Sequence, residues 1–295
     1  MSTGSLPIRF FTRGTEPAFK KSFAYYSGLE KLPVLSNEIP SEELDEFRNG
    51  TLGVLLRFCE NGFLWSAKLV HELLVHQLAI AVRFSLKEFE IITGLNCEPF
   101  PDESVAVDED PQFWGRLGLE DNREPSFKMI AERIMDCKNW NRRDRIRLVY
   151  LFLVSRFLLA RNPGSGIPRK IISLVLDREK FEAYPWGRVT CKHIIDSVMK
   201  ANLDLTHNSY TVDGFVQVLQ VWAYEAIPAI GNKCGTPKKD MMEFPPLLRW
   251  KGSRKIFKFD LPQNREPVCL WFEFLFLVKS LVLMPCFLLN ESDFD

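Results

Sequence analysis

The chain has no excess of charge of either sign: across 295 residues, 38 basic side chains balance 38 acidic ones. No global field therefore draws it to nucleic acid or anionic lipid, and any such contact must come from a local patch. It also has no CxxC pair. Its seven cysteines, Cys59, Cys97, Cys137, Cys191, Cys234, Cys269 and Cys286, are widely spaced and odd in number, which indicates neither a disulfide framework nor a zinc ribbon. Scattered thiols in the reducing interior of the cell, nuclear or cytoplasmic, are the expectation. The opening Met1-Ser2-Thr3-Gly4-Ser5 leads into no long apolar run, so a secretory signal is not expected. Neither a P-loop nor a GxGxxG turn occurs, and no cofactor is expected. Internal repeats and low-complexity tracts are missing as well.

What is present is apolar material. A hydrophobic fraction of 46%, with 13% aromatics, suffices for a sizeable core and argues against a disordered chain. Residues 1–50 are broken by Pro7, Pro17, Pro33 and Pro40 and read as a loosely structured lead-in. The run from Thr51 to Cys59 reads as a short strand, with Asn61-Gly62 as a turn. Ser66 to Val82 reads as a helix. Ser85 followed by Glu88 is a capping box, Phe84 and Phe89 can staple it, and Gly94 suits the left-handed stop. The acidic stretch 102–110 has no helical period. Ser126 caps a helix carrying Met129, Ile130, Ile134 and Met135. From Asn141 to Ala160, Ile146, Val149, Tyr150, Leu153 and Phe157 form one stripe, and the run from Leu148 is polar only at Ser155 and Arg156, which places this helix centrally. Helices are expected near 168–180, 190–201 and 211–227, the last capped by Thr211 or Asp213 and ended by Pro228. Residues 250–260 alternate around Gly252-Ser253 and read as a small hairpin. The expected fold is mainly α: a helical domain over 51–260 with a small β element, then an apolar tail over 261–295.

Four segments carry a resemblance: SAKLVHELLVHQLAIAVRFSLKEFEIITGLNC from Ser66, DREKFEAYPWGR from Asp177, DGFVQVLQVWAYEAIPAI from Asp213 and LLRWK from Leu247. Together they resemble the plant domain of unknown function numbered nineteen-eighty-five, over roughly residues 50 to 260. The resemblance implies a crucifer-type, transposon-derived gene, of a family whose members often precede a Ulp-type cysteine protease domain. It implies no activity of the domain itself. The segments are architectural: Tyr184-Pro185-Trp186-Gly187 makes a rigid turn between helices, with Trp186 large enough to plug the junction. Two departures stand out. Family members usually carry a longer insert before RFSLKEF, and beyond Gln263 the chain no longer looks like the family and no protease domain follows, a pattern expected of a truncated or degenerate copy.

Catalytic and metal motifs fail on spacing. His71 and His76 lie five apart, which at about 100° per residue sets them roughly 140° apart around a helix, too far to chelate one zinc. Cys191 and His193, two apart, point to different faces, and Cys234-Gly235 lacks the acidic residue that precedes the nucleophile in Ulp-type enzymes. The 102–110 loop lacks the ligand order of a calcium loop. No catalytic, cofactor or metal residue is therefore assigned. The leading expectation is a non-enzymatic module with a protein partner.

Two alternatives remain. Lys138 to Arg147 is the one local basic patch, where Arg142, Arg143, Arg145 and Arg147 could grip phosphates and Trp140 could stack on a base. Val268 to Leu289 is a 22-residue apolar stretch interrupted by Glu273, Lys279, Ser280 and Pro285, long enough to span a bilayer. Its insertion energy sums to near zero, and the basic residues before it and acidic ones after it match a tail-anchored orientation.

Overall fold

The computed structural model describes residues 22–28, 33–75, 84–101, 110–119, 124–200, 209–238 and 244–255. It is mainly helical, as expected, and among the described residues a two-stranded sheet is parallel. Strand β1 (Ser22–Tyr25) pairs with β2 (Ser209–Val212), so the sheet joins the start of the described chain to a segment far along it. The helices are α1 (Pro33–Glu38), α2 (Ser41–Asn49), α3 (Gly53–Glu60), α4 (Ala67–Val75), α5 (Leu86–Thr93), α6 (Pro111–Leu117), α7 (Phe127–Ile134) and α8 (Arg142–Leu153). They continue with α9 (Arg169–Leu174), α10 (Arg178–Ala183), α11 (Trp186–Lys200), α12 (Gln217–Ala226) and α13 (Pro228–Cys234). One continuous apolar core runs from Phe23 to Trp250.

Several expectations are met at atomic detail. Ser85 accepts the Glu88 amide at 3.1 Å while the Glu88 carboxylate accepts the Ser85 amide at 2.9 Å, closing the capping box of α5. Phe84 packs on Phe89 with ring centroids 5.8 Å apart, and Gly94 ends the helix at φ 69°. Ser126 caps α7 through the Met129 amide, and Asn141 caps α8 through the Asp144 amide. Residues Ile146 to Leu158 are all buried, the central position expected of that helix. Its last turn, Val154–Leu158, is widened to a π turn.

Other expectations are overturned. Thr51 to Cys59 is not a strand but the start and body of α3. A short apolar run is compatible with either state, and packing decides it. Leu52, Val54, Leu55, Leu56 and Phe58 are all buried, and Gly53 permits a turn so tight that a Cβ there would lie 2.0 Å from the Arg48 carbonyl oxygen. Within the segment read as a lead-in, residues 22–49 hold β1, α1 and α2, with Leu35, Ile39, Leu44 and Phe47 in the core.

The expected helix near 168–180 is two helices, because Asp177 accepts the Lys180 amide and starts α10 afresh. Thr211 and Asp213 do not cap α12: Thr211 lies in β2, and the chain turns at Gly214 (φ 86°) before the helix begins. Pro228 opens α13 at its first turn, where its missing N–H costs nothing. Among residues 250–255 no hairpin forms. Trp250 bridges Pro237 and Gly252 bridges Leu64 instead, so the alternating pattern is satisfied by distant partners. No described helix is long and apolar enough to cross a membrane, and the candidate span Val268–Leu289 lies outside the described residues.

Candidate functional site

Two of the motif segments, those around residues 94–98 and 183–188, meet at one junction. The chain leaving α5 places its backbone against the start of α11, where the Gly187 amide donates to the Asn96 carbonyl at 2.7 Å. A Cβ on Gly187 would lie 2.5 Å from Cys97 Sγ and 2.7 Å from Asn96 O, so only glycine fits. Asn96 Nδ2 donates to the Ala183 carbonyl at 2.9 Å, and Arg188 Nε donates to the Glu98 carbonyl at 2.8 Å. Trp186 is fully buried and its indole N–H donates to the Phe181 carbonyl at 2.8 Å. It plugs the junction, as its size suggested. TGLNC and YPWGR are thus two halves of one lock. The first helix of that lock also touches α12, through Phe84 on Trp222 with centroids 5.7 Å apart.

The reactive side chains are set in chemically quiet places. Burial pushes the Cys97 thiol up to about 12 and the Cys137 thiol up to about 11, and raises Cys234 as well. At ordinary pH these are thiols, not nucleophilic thiolates. His193 sits beside Arg161, whose guanidinium donates to Nδ1 at 3.2 Å, and burial together with that cation lowers it to about 4. Cys191 is buried on the same helix, two residues away. His71 is buried, with Nδ1 2.7 Å from the Tyr210 hydroxyl, while His76 lies outside the described residues. Among the described residues no three His, Cys, Asp or Glu side chains are placed to hold a metal ion.

The basic patch is the most built-up polar feature of the molecule. Arg145, 13% exposed, donates to Glu43 at 2.5 Å and also to the Trp140 carbonyl. Arg147, 9% exposed, reaches Asp110 at 2.7 Å and Asp144 at 3.3 Å. Arg143 is exposed and lies 3.2 Å from Asp110, and Arg142 is exposed and pairs with Glu46. Glu46 is shared with Arg178, which also holds Glu182 at 2.9 Å. Trp140 is half-buried against the core, with the Arg116 guanidinium over its ring at 5.9 Å.

The carboxylates answer in kind. The hydrogen bond from Arg178, with the charges of Arg178 and Arg142, holds Glu46 below the usual range despite partial burial. That from Arg147 does the same for Asp110. All four candidate arginines therefore have acidic partners, which join α8 to α2 and to the N-cap of α6. These partners lie as far as 102 residues away along the chain, as for Arg145 and Glu43, and no local pattern marks them.

A cavity of about 320 Å³ opens at the other side of α3, lined by Tyr25, Ser27, Cys59, Phe63, Trp65 and Arg254, among others. None of these residues stood out in the sequence as a site.

The fold and its side chains define a helical, tightly interlocked domain whose cationic patch is internally neutralised. Over residues 66–197 the chain matches the family model described as "Domain of unknown function (DUF1985)", the family whose resemblance its motifs carry. The segments at 213–230 and 247–251, which also carried the resemblance, lie beyond the matched span. No curated protein and no solved structure matches the chain.

Proposed function

We propose that the chain is a non-enzymatic interaction module that works by protein contact. The supporting observation is on α11, the helix locked by Gly187. Ile195 and Met199 lie one helical turn apart, hence on one face, and are 41% and 67% exposed. The neighbouring α5 also shows Ile91 to solvent. A rigid helix pair with outward apolar side chains is the arrangement that partner surfaces use, because little ordering entropy is lost on docking. The inert setting of Cys97, Cys137, Cys234 and His193 fits the same reading. Its test is a quantitative pull-down from cell extract with the wild-type chain and with the double variant Ile195→Lys, Met199→Lys. A partner retained by the wild type and lost by the folded double variant supports the proposal. Identical partner sets for both sink it.

Nucleic-acid contact through Trp140, Arg142, Arg143, Arg145 and Arg147 is a weaker proposal. Binding phosphates would require Arg145 and Arg147 to leave Glu43, Asp110 and Asp144, so the gain in one ion pair is offset by the loss of another. Only the exposed Arg142 and Arg143 reach solvent easily. A tail anchor over Val268–Leu289 stands as a proposal on composition alone.

A further inference from the structure

The chain is neutral overall, but its charge is not spread evenly. Residues 227–238 and 244–255 carry Lys233, Lys238, Arg249, Lys251, Arg254 and Lys255, and no aspartate or glutamate. Glu225 reaches in from α12, 3.7 Å from Arg249. Lys251, Arg254 and Lys255 are exposed, and none of the three makes an ion pair among the described residues. The Arg142–Arg147 patch is the opposite case, since each guanidinium there has its carboxylate. Surface cations without an internal partner keep their field for an outside anion, because no existing pair has to be broken first.

The backbone beneath these cations is fixed. The Lys238 amide donates to the Arg249 carbonyl at 2.8 Å and the Lys251 amide to the Thr236 carbonyl at 2.9 Å, with Pro237 bridging Trp250 in antiparallel fashion. The Leu64 amide donates to the Lys251 carbonyl at 2.7 Å, and the Ser66 hydroxyl to the Lys255 carbonyl at 3.4 Å. The charges therefore stand on a preformed support, and little backbone entropy is lost when they meet a surface. Three features favour a lipid surface over nucleic acid. Leu64, clamped to Lys251, is 47% exposed. An aliphatic side chain beside cations gains nothing from the phosphates of a duplex, but it is buried favourably at the boundary of headgroups and acyl chains. The aromatic that could stack on a base, Trp250, is buried, with its N–H held by Glu225 at 2.8 Å. Soon after Lys255, the sequence also enters the apolar stretch Val268–Leu289.

We infer that the face carrying Lys251, Arg254 and Lys255, with Leu64 beside them, rests on the anionic surface of a lipid bilayer. The cations meet the charged headgroups and Leu64 sits at their base. This contact stands on the described residues, whether or not 268–289 spans the bilayer. The experiment is co-sedimentation of the full chain with vesicles of phosphatidylcholine alone and of phosphatidylcholine mixed with phosphatidylserine. The wild type should partition more strongly onto the mixed vesicles, and the excess should shrink as salt is raised. Each cation near such a surface is worth about fivefold in partitioning, so the triple variant Lys251→Gln, Arg254→Gln, Lys255→Gln should fall by about a hundredfold on the mixed vesicles. Its replaced side chains are exposed, so it folds, and an unchanged thermal midpoint verifies this. The control triple Lys87→Gln, Lys128→Gln, Lys180→Gln removes the same charge from exposed lysines that already have carboxylate partners, and it should keep most of the excess. Equal losses in the two triple variants would reduce the effect to net charge and overturn the inference. Strong binding to neutral vesicles with no gain from phosphatidylserine also overturns it, while leaving the tail proposal standing. A DNA duplex held through the same three cations, with no preference for anionic vesicles, would assign the face to nucleic acid and overturn it too. None of these results touches the protein-contact reading, which rests on Ile195 and Met199.

Discussion

The buried histidine of α11 offers a sharp test of the electrostatics. His193 is 9% exposed, and its Nδ1 faces the Arg161 guanidinium at 3.2 Å. An arginine can only donate, so Nδ1 accepts and the ring proton sits on Nε2, where it finds no partner. Burial first, and Arg161 second, move the imidazole from 6.5 to about 4, with Lys200 acting in the same sense and Asp196 against it. The folded value thus lies below the unfolded one. As pH falls through 6.5 the unfolded chain takes up the proton first, so the stability this group allows is complete above that point and erodes down to about 4. A gap of roughly 2.5 pH units at about 1.4 kcal/mol each makes about 3 kcal/mol in all, and about 2 kcal/mol of it falls between pH 6.5 and 5.

The measurement is urea unfolding of the wild type and His193→Gln at closely spaced pH values from 7.5 to 5. Glutamine keeps an acceptor for Arg161 and cannot charge. The wild type should lose about 2 kcal/mol more than the variant over that interval. Asp213, raised by burial, contributes with the opposite sign, but it is common to both proteins and cancels to first order. Stability curves that run parallel from pH 6.5 to 5 would refute the reasoning.

Three further outcomes are expected. Gly187→Ala should destabilise the fold by about 3 kcal/mol or prevent it, since the new methyl meets backbone on one side and Cys97 on the other; chemical denaturation reads this, and a change under 1 kcal/mol would dissolve the proposed lock. Arg145→Ala should cost about 1–3 kcal/mol by leaving Glu43 buried without its cation, and should leave any binding of a DNA duplex unchanged. If instead DNA binds with a log–log salt slope of about −3 to −4, and Arg142→Ala with Arg145→Ala flattens it, the arginines are a phosphate grip after all. For the tail, a fluorescent fusion of residues 260–295 should resist carbonate extraction if 268–289 spans a bilayer; a fusion that stays soluble ends that proposal.

Much of the architecture was legible because it is written locally. A capping box needs residues only three apart, and Ser85 with Glu88 closes as read. The apolar saturation of residues 146–158 identifies a central helix, since no solvent-facing stripe is left. The histidines five apart, and the cysteine and histidine two apart, disfavoured a catalytic reading by helix geometry alone.

What the sequence by itself determined is therefore the class of fold, the family segment and the elements delimited by their own caps. Tertiary structure decided the rest, for one physical reason: the deciding contacts are distant in the chain. Residues 51–59 are helical because five of them bury against the core and Gly53 folds back on Arg48. Residues 250–252 pair with Leu64 and Pro237 instead of with each other. A row of arginines reads as a phosphate grip until Glu43, Glu46 and Asp110 are brought beside it from other helices. The cavity at Trp65 and Arg254 has no sequence signature either, because its walls converge from positions 25 to 254.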